Sequence, residues 1–249
     1  METDLKIFDV VDSTNAVLKN MADDGASEGT CVLALSQTKG RGRSGRSFFS
    51  PQGGNLYMSL LLRPDSDEKF SKITMAAAVA VSEAVDENFG IKTGIKWVND
   101  IFYNNRKISG TVAEAHNVGE PDRYVILGIG VNIYRNTSVP GDISGIYGSI
   151  KDTVCDLSKE EQVRSASALS SAITDRFGIY YDDLVRNGLI DRYRARSMVI
   201  GRDVYYMCGD RELPAHVVGI DDDGGIMLDM NGEVRVYRDG EIRIRLSDM

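Results

Sequence analysis

Two apolar runs, CVLALSQ (31–37) and NLYMSLLLRP (55–64), are separated only by TKGRGRSGRSFFSPQGG, so a loop of glycines and arginines must join one strand to the next. Each run is a continuous apolar stretch bounded by turn residues, which is the pattern of a buried strand. That placement decides what the loop can be. Gly40-Arg-Gly42-Arg-Ser-Gly45 formally matches the G-x-G-x-x-G dinucleotide fingerprint. The fingerprint, however, needs a helix directly after the glycines, so that pyrophosphate can rest on the helix N-terminus. Here Pro51 and a strand follow instead. A kinase glycine loop does lie between strands, but the chain has no HRD or DFG segment, and it has no GK[ST] for a Walker A loop. Two readings remain. The loop's open amides and planar guanidiniums surround a carboxylate or phosphate, since arginine forms bidentate charge-assisted hydrogen bonds to either. Otherwise it is a solvated surface loop.

The rest of the chain sharpens the contrast between this loop and its surroundings. The 249 residues carry a formal net charge of −8, with 42% hydrophobic and 27% charged residues. That composition fits a globular protein burying roughly 70–75% of its unfolded surface, in one large domain or a large plus a small one. An acidic chain does not attract nucleic acid generally, although a local basic loop still suits one small anion. Cys31, Cys155 and Cys208 are far apart and form no CxxC pair, which argues against disulfides and a zinc site and for a reducing cytoplasm. METDLKIFDVV lacks the basic start and long apolar core of a signal peptide, and no apolar run approaches the roughly 18 residues of a membrane span.

The periodicities predict an α/β chain. LKIFDVV reads as a strand, followed by Asp12-Ser13-Thr14-Asn15 as helix-capping types that open a helix ended by Gly25. Ile73, Ala77, Val81 and Val85 keep helical spacing up to Gly90. GIKWVNDIFYNNRKISGTVAEA reads as a hairpin turning at Asn104-Asn105, and YVILGIGVNIY as a further strand. After a loop from Pro140 to Gly148, Ser158 and Glu161 form a capping box for a helix bearing Val163, Leu169, Ile173 and Phe177. Near Ser197 the pattern changes. VYYMC, PAHVVGI, GIMLDM, EVRVYR and EIRIRL, separated by GD, DDDGG, NG and DG turns, predict a small β-barrel of its own.

Several residues carry chemistry or merely structure. Lys96 and Lys107, on opposite arms of the expected hairpin, are either anion ligands or exposed strand lysines. Asn99-Asp100 interrupts an apolar strand, where a carboxylate needs a partner unless it sits at a bulge or strand end. Gly128-Ile-Gly130-Val-Asn132 either admits a ligand close to a strand or packs tightly in the core. Trp97 and Phe48-Phe49 are core anchors or the wall of an apolar pocket. His116 and His216 have no metal-pair spacing, and no Ser-His-Asp set is apparent. The residues alone lead to an anion or nucleotide site.

Together and in this order, Asp12-Ser-Thr-Asn15, Gln37, Gly40 to Arg46, Ser50 to Ser59, Lys96 to Asp100, Lys107 to Gly110 and Gly128 to Asn132 resemble the motif set of biotin protein ligases. Two positions depart from the family pattern. Val98 stands where KWPND has proline, which puts the rigidity of the Asn99-Asp100 turn in question, and Phe48 stands where tryptophan is frequent. The resemblance implies an α+β fold, with a central mixed β-sheet and helices as in class II aminoacyl-tRNA synthetases and biotin ligases, over residues 1–197. A small C-terminal SH3-like barrel is implied over 198–249. It also implies activation of biotin by Mg-ATP to biotinyl-5′-AMP, then transfer to a lysine of a biotin carboxyl carrier domain. Catalysis falls to Lys107, Arg43 and Asp100. Biotin contacts fall to Ser13, Thr14, Asn15, Gln37, Arg41, Gly42, Arg43, Lys107, Gly128 and Gly130, and nucleotide contacts to Arg43, Arg46, Phe48, Asn99 and Asn132. The metal is carried by ATP. Family members that repress transcription carry an N-terminal winged helix, which this sequence does not show, so DNA is not an expected partner and neither is a membrane. Monomer and homodimer both occur among relatives. The rivals are a lipoate or octanoate ligase of the same fold and a non-catalytic binding module.

Overall fold

The computed structural model describes residues 1–120, 122–182, 188–208, 211–238 and 243–246. Seven strands form one sheet: β1 (Asp4–Val11), β2 (Thr30–Gln37), β3 (Leu56–Leu62), β4 (Gly94–Lys96), β5 (Asp100–Tyr103), β6 (Arg106–His116) and β7 (Tyr124–Val131). Their order is β1-β2-β3-β7-β6-β5-β4. β1 runs parallel to β2 and every other neighbour is antiparallel, so the sheet is mixed.

β3 and β7 are buried along their whole length, by helices on one face of the sheet and by a short helix and a loop on the other. The period of two sends Leu33, Met58, Leu60, Leu127 and Ile129 to one face. There they meet Ile73, Ala77 and Val81 of α2 (Asp67–Phe89) and Ile173 and Phe177 of α3 (Lys159–Asp182). Val32, Leu61 and Ile126 point to the other face, which α1 (Thr14–Asp23) covers with Leu18 and Ala22. α1 is short. Beyond it, the same face carries small or polar residues in register: Tyr57 opposite Gly130 opposite Gly110, and Ser59 opposite Gly128 opposite Val112. This uncovered part of the sheet is where a site can form.

The helix ends follow their sequence signals. Ser158 and Glu161 make the reciprocal capping bonds, with Ser158 N donating to Glu161 Oε2 at 2.9 Å and Glu161 N to Ser158 Oγ at 3.3 Å. Gly90 ends α2 in the left-handed region at φ 64°. Glu83 of α2 is buried and therefore paired: Tyr180 Oη donates to it at 2.6 Å, and Arg176 and Arg192 reach it at 3.3 and 3.1 Å. Arg192 belongs to α4 (Leu189–Arg196), a helix the sequence reading passed over. Its segment LIDRYRAR is half charged, buries only Leu189 and Tyr193, and begins on a glycine without a side-chain cap.

The hairpin at Asn104-Asn105 forms, with both asparagines at positive φ (49° and 58°), as a two-residue turn demands. Its first arm is corrected. KWVND is not continuous strand: β4 stops at Lys96, the Trp97–Val98 peptide is cis, and pairing resumes at Asp100. The break lets Asn99 turn inward, where its amide donates to the Thr111 carbonyl and its own carbonyl accepts from Thr111 N.

The tail forms β8 (Asp203–Cys208), β9 (Arg211–Ile220), β10 (Ile226–Met230), β11 (Glu233–Tyr237) and β12 (Arg243–Leu246), an antiparallel sheet in the order β11-β10-β9-β8-β12. Among the described residues nothing pairs β11 with β12, and the expected turns at Gly209-Asp210 and Asp239-Gly240 lie outside those residues. Its core is continuous with that of the larger sheet, since Val204, Val217, Leu228 and Leu246 join the same buried cluster as α2. Trp97 Nε1 seals the contact by donating to the Gly224 carbonyl at 2.9 Å. No helix among the described residues is long and apolar enough to cross a membrane.

Candidate active site

The uncovered part of the sheet is the floor of a cavity of about 200 Å³. α1 begins at one end of it, so the residues that open the helix, Ser13, Thr14 and Asn15, enter the wall and are buried there. Their polar groups are tied into one network. Gln37, at the end of β2, accepts from Thr14 N at 2.8 Å and from Thr14 Oγ1 at 3.1 Å, and its amide donates to Ser50 Oγ at 2.8 Å. Ser59 Oγ lies 2.7 Å from Thr14 Oγ1 and 2.6 Å from Asn15 Oδ1, while Asn15 Nδ2 donates to Glu114 Oε2 at 3.0 Å. Buried polar groups in such a network are fixed in direction, because each lost bond costs about 1–3 kcal/mol.

The two floor glycines have specific occupants above them. A Cβ on Gly128 would come 2.4 Å from Asn15 Oδ1, and one on Gly130 would come 2.3 Å from the Phe48 ring. Glycine is therefore required by side chains of the protein itself, which is a closer approach than the alternating pattern alone predicts.

The arginine loop folds over this floor as a small hairpin. Arg41 bridges to Ser47, Arg43–Gly45 form a single 3-10 turn, and Phe48 N donates to the Gly40 carbonyl at 2.8 Å. Phe48 stands edge-on to Tyr57 with centroids 6.5 Å apart. Arg41, Arg43 and Arg46 all line the cavity. Facing them, Lys107 Nζ lies 2.7 Å from Asp100 Oδ1, with both side chains about a quarter exposed (26% and 27%). Lys96 shares this wall. Burial pushes its ammonium below the usual lysine range, against the opposing pull of Asp100. The cavity thus has a neutral hydrogen-bonding half and a cationic half, in a chain that is acidic overall.

Ser13, Thr14, Asn15, Gln37, Arg41, Gly42, Arg43, Arg46, Phe48, Asn99, Asp100, Lys107, Gly128 and Gly130, all expected from sequence, line this one cavity. Asn132 does not. Its amide donates to the Gly148 carbonyl at 3.0 Å, and Gly148 N in turn donates to the Lys107 carbonyl, so Asn132 braces the segment that flanks Lys107. The segment after Lys96 is braced from outside: Tyr193 Oη donates to the Val98 carbonyl at 2.9 Å, which holds a turn lacking the family's proline. Sequence reasoning missed Ile244, which reaches the wall from β12, and Ser59, which was visible only as the last residue of the SPQGGNLYMS motif. No local signal marks Ile244. Ser59 was detectable as the one small polar residue within a strand of aliphatic, methionine and tyrosine side chains.

Comparison with known proteins agrees with this geometry. The model of the biotin/lipoate A/B protein ligase family matches residues 7–132. The bifunctional ligase/repressor BirA of Bacillus subtilis is 32% identical over 242 residues, covering 95% of this chain and 72% of the relative. The biotin–[acetyl-CoA-carboxylase] ligase of Mycobacterium tuberculosis is 30% identical, covering 92% of this chain and 85% of the relative. Among solved structures, the biotin protein ligase of Aquifex aeolicus in complex with biotin and ATP superposes with a TM-score of 0.78 at 26% identity, covering 98% of this chain and 99% of that one. The matched segment ends at Asn132 and so contains the whole polar floor, the arginine loop and the Lys107–Asp100 pair: this chain belongs to the biotin/lipoate A/B protein ligase family.

Proposed function

We infer that the chain is a biotin protein ligase, which joins biotin to ATP as biotinyl-5′-AMP and then transfers the biotinyl group to a lysine of a carrier domain. The observation that carries this reading is the single cavity in which a neutral hydrogen-bonding floor meets a cationic wall at Lys107. Biotin has that polarity, with a polar ring system at one end and a carboxylate at the other. An octanoyl or lipoyl chain offers nothing to the Gln37–Thr14–Ser59–Asn15 network, and a ligand that leaves buried polar groups unmatched is rejected strongly.

In the first step a carboxylate oxygen attacks the α-phosphorus of ATP and the bond to pyrophosphate breaks. Carboxylate and triphosphate repel each other. Lys107 holds the carboxylate, and Asp100 at 2.7 Å keeps the ammonium in place. Arg41, Arg43 and Arg46 supply positive charge where negative charge gathers, and the loop that carries them excludes water. In the second step the lysine amine attacks the acyl carbon, AMP leaves and the amine loses a proton. Asp100 is the one carboxylate among the described residues lining the cavity, and it is positioned to take that proton. The residues fit a Mg²⁺ that arrives on the triphosphate, because a lone carboxylate already paired with a lysine does not make a resident metal site. Such an ion would supply positive charge to the departing pyrophosphate.

On this reading residues 1–197 are the catalytic domain and 198–249 an SH3-like domain whose β12 lends Ile244 to the cavity. The acceptor is a biotin carboxyl carrier protein or domain, and the setting is the cytoplasm. ATP–pyrophosphate exchange, measured separately with biotin, lipoate and octanoate, tests the assignment. Biotin should drive exchange at least about a hundredfold faster than either acid, the scale of rejection for a ligand that leaves polar groups unmatched. Faster exchange with octanoate or lipoate would transfer the assignment to that substrate, and no exchange with any acid would leave a binding module.

A further inference from the structure

We propose that Glu114 is a positioning residue that sets the orientation of the Asn15 amide, so that Oδ1 rather than Nδ2 faces Gly128 and the cavity. The inference rests on the ligase reading and adds what that floor position demands of its ligand: an N–H donor.

Glu114 lies on β6 opposite Ile126, two residue pairs beyond the Val112–Gly128 pair and so on the same face of the sheet. It is not in the cavity wall. Its Oε2 accepts from Asn15 Nδ2 at 3.0 Å. An asparagine amide is nearly symmetric in shape, and its neighbours decide which end is which. Ser59 decides nothing, because a hydroxyl donates or accepts as required. A carboxylate only accepts, so the NH₂ group must face Glu114. Oδ1 is then left for the Ser59 proton at 2.6 Å, at the point where a Gly128 Cβ would come within 2.4 Å. Asn15 is only 4% exposed and Ser59 is fully buried, so a wrongly turned amide finds no water to satisfy it. The floor therefore offers an acceptor here. The ureido N–H groups of biotin answer it, and a head group with only acceptors does not.

The test is biotin-dependent ATP–pyrophosphate exchange on the full chain as wild type, Glu114→Leu and Glu114→Gln, with KM for biotin, KM for ATP, kcat and Tm determined for each. Losing the acceptor should raise the biotin KM about tenfold in Glu114→Leu. KM for ATP and kcat should stay near wild type, and Tm should fall by no more than the few degrees that one lost buried hydrogen bond costs. Glu114→Gln keeps an accepting oxygen and should hold the biotin KM within about threefold of wild type. An unchanged biotin KM in Glu114→Leu overturns the proposal, as does a Glu114→Gln variant damaged equally. If Glu114→Leu does not fold, Asn15→Asp decides. It sets two carboxylates against each other, and adding Glu114→Gln restores a donor–acceptor pair. The biotin KM should then recover about tenfold, and no recovery overturns the proposal. A wild type with no biotin-dependent exchange removes the ligase reading and this inference with it, whereas normal wild-type exchange with an unaffected Glu114→Leu removes this inference alone.

Discussion

The floor of the cavity and the loop above it are built in opposite ways. Thr14, Asn15 and Ser59 on the floor are buried, bonded to one another and backed by strands with no exposed residue. Arg41 and Arg46 in the loop are exposed, on a hairpin closed by backbone bonds such as Gly42 N to the Arg46 carbonyl. The floor is a finished recognition surface for neutral groups. On the proposed reading the loop is a source of positive charge that closes on its ligands. Fixing polar contacts on the sheet lets the ligand's head be read before chemistry, while charge on a loop can close once a carboxylate and a triphosphate are both present.

The largest effect should come where the two regions meet. Lys107→Ala removes the ammonium from the ligand carboxylate, which costs about 1.5–3 kcal/mol in binding and more at the transition state. Adenylate formation, followed by pyrophosphate exchange, should fall by about two orders of magnitude or more, and wild-type rates would remove Lys107 from the mechanism. Arg43→Gly acts only on the loop. The first half-reaction should survive on Lys107 and the other arginines, but losing about 2 kcal/mol of ionic hydrogen bonding speeds escape of the reactive adenylate roughly thirtyfold. The readout is biotin label appearing on an unrelated lysine-rich protein, and a variant that makes adenylate without faster bystander labelling breaks the division between floor and loop.

Gly128→Ala is the matching change on the floor. Its Cβ would meet Asn15 Oδ1 at 2.4 Å, so either Asn15 or the strand must shift. Overpacking of this kind costs about 1–3 kcal/mol. The biotin KM should rise about tenfold and Tm should fall by a few degrees, with KM for ATP preserved. A change in ATP affinity without one in biotin affinity would reverse the assignment of the two halves. The smallest effect concerns motion. Cleavage after Arg41 or Arg46 by trypsin should slow several-fold when biotin and ATP are both bound, since ordering a loop suppresses local opening. Equal digestion with and without ligands would show the loop to be as fixed as the floor.

Much of this was legible in the sequence, and the parts that were not share a cause. β2, β3 and β7 read as strands because each is a continuous apolar run, and Ser158 with Glu161 announced α3. Ser13, Thr14 and Asn15, expected at a site from the family resemblance, and Arg41, Gly42, Arg43 and Arg46 of the glycine-arginine loop all line one cavity. Signals that depend on distant contacts were not readable. α4 has a weak amphipathic pattern and is held by the pairing of Arg192 and Arg196 with acids of α2. The KWVN segment leaves the sheet because Tyr193, Gly224 and Thr111 all bond to it. Asn132, two residues from Gly130 and on the same face by strand alternation, reads as a site residue, and its bond to the Gly148 carbonyl is a contact that nothing local in the sequence marks.

The central claim is that the floor reads the neutral head while Lys107 reads the carboxylate. Calorimetric titration of wild type and Lys107→Ala with biotin and with biotinol, in which an alcohol replaces the carboxylate, tests it most directly. The account predicts that Lys107→Ala weakens biotin by about tenfold or more and leaves biotinol within about twofold, because only the charged partner has been lost. Equal weakening of both ligands, or of neither, would contradict it.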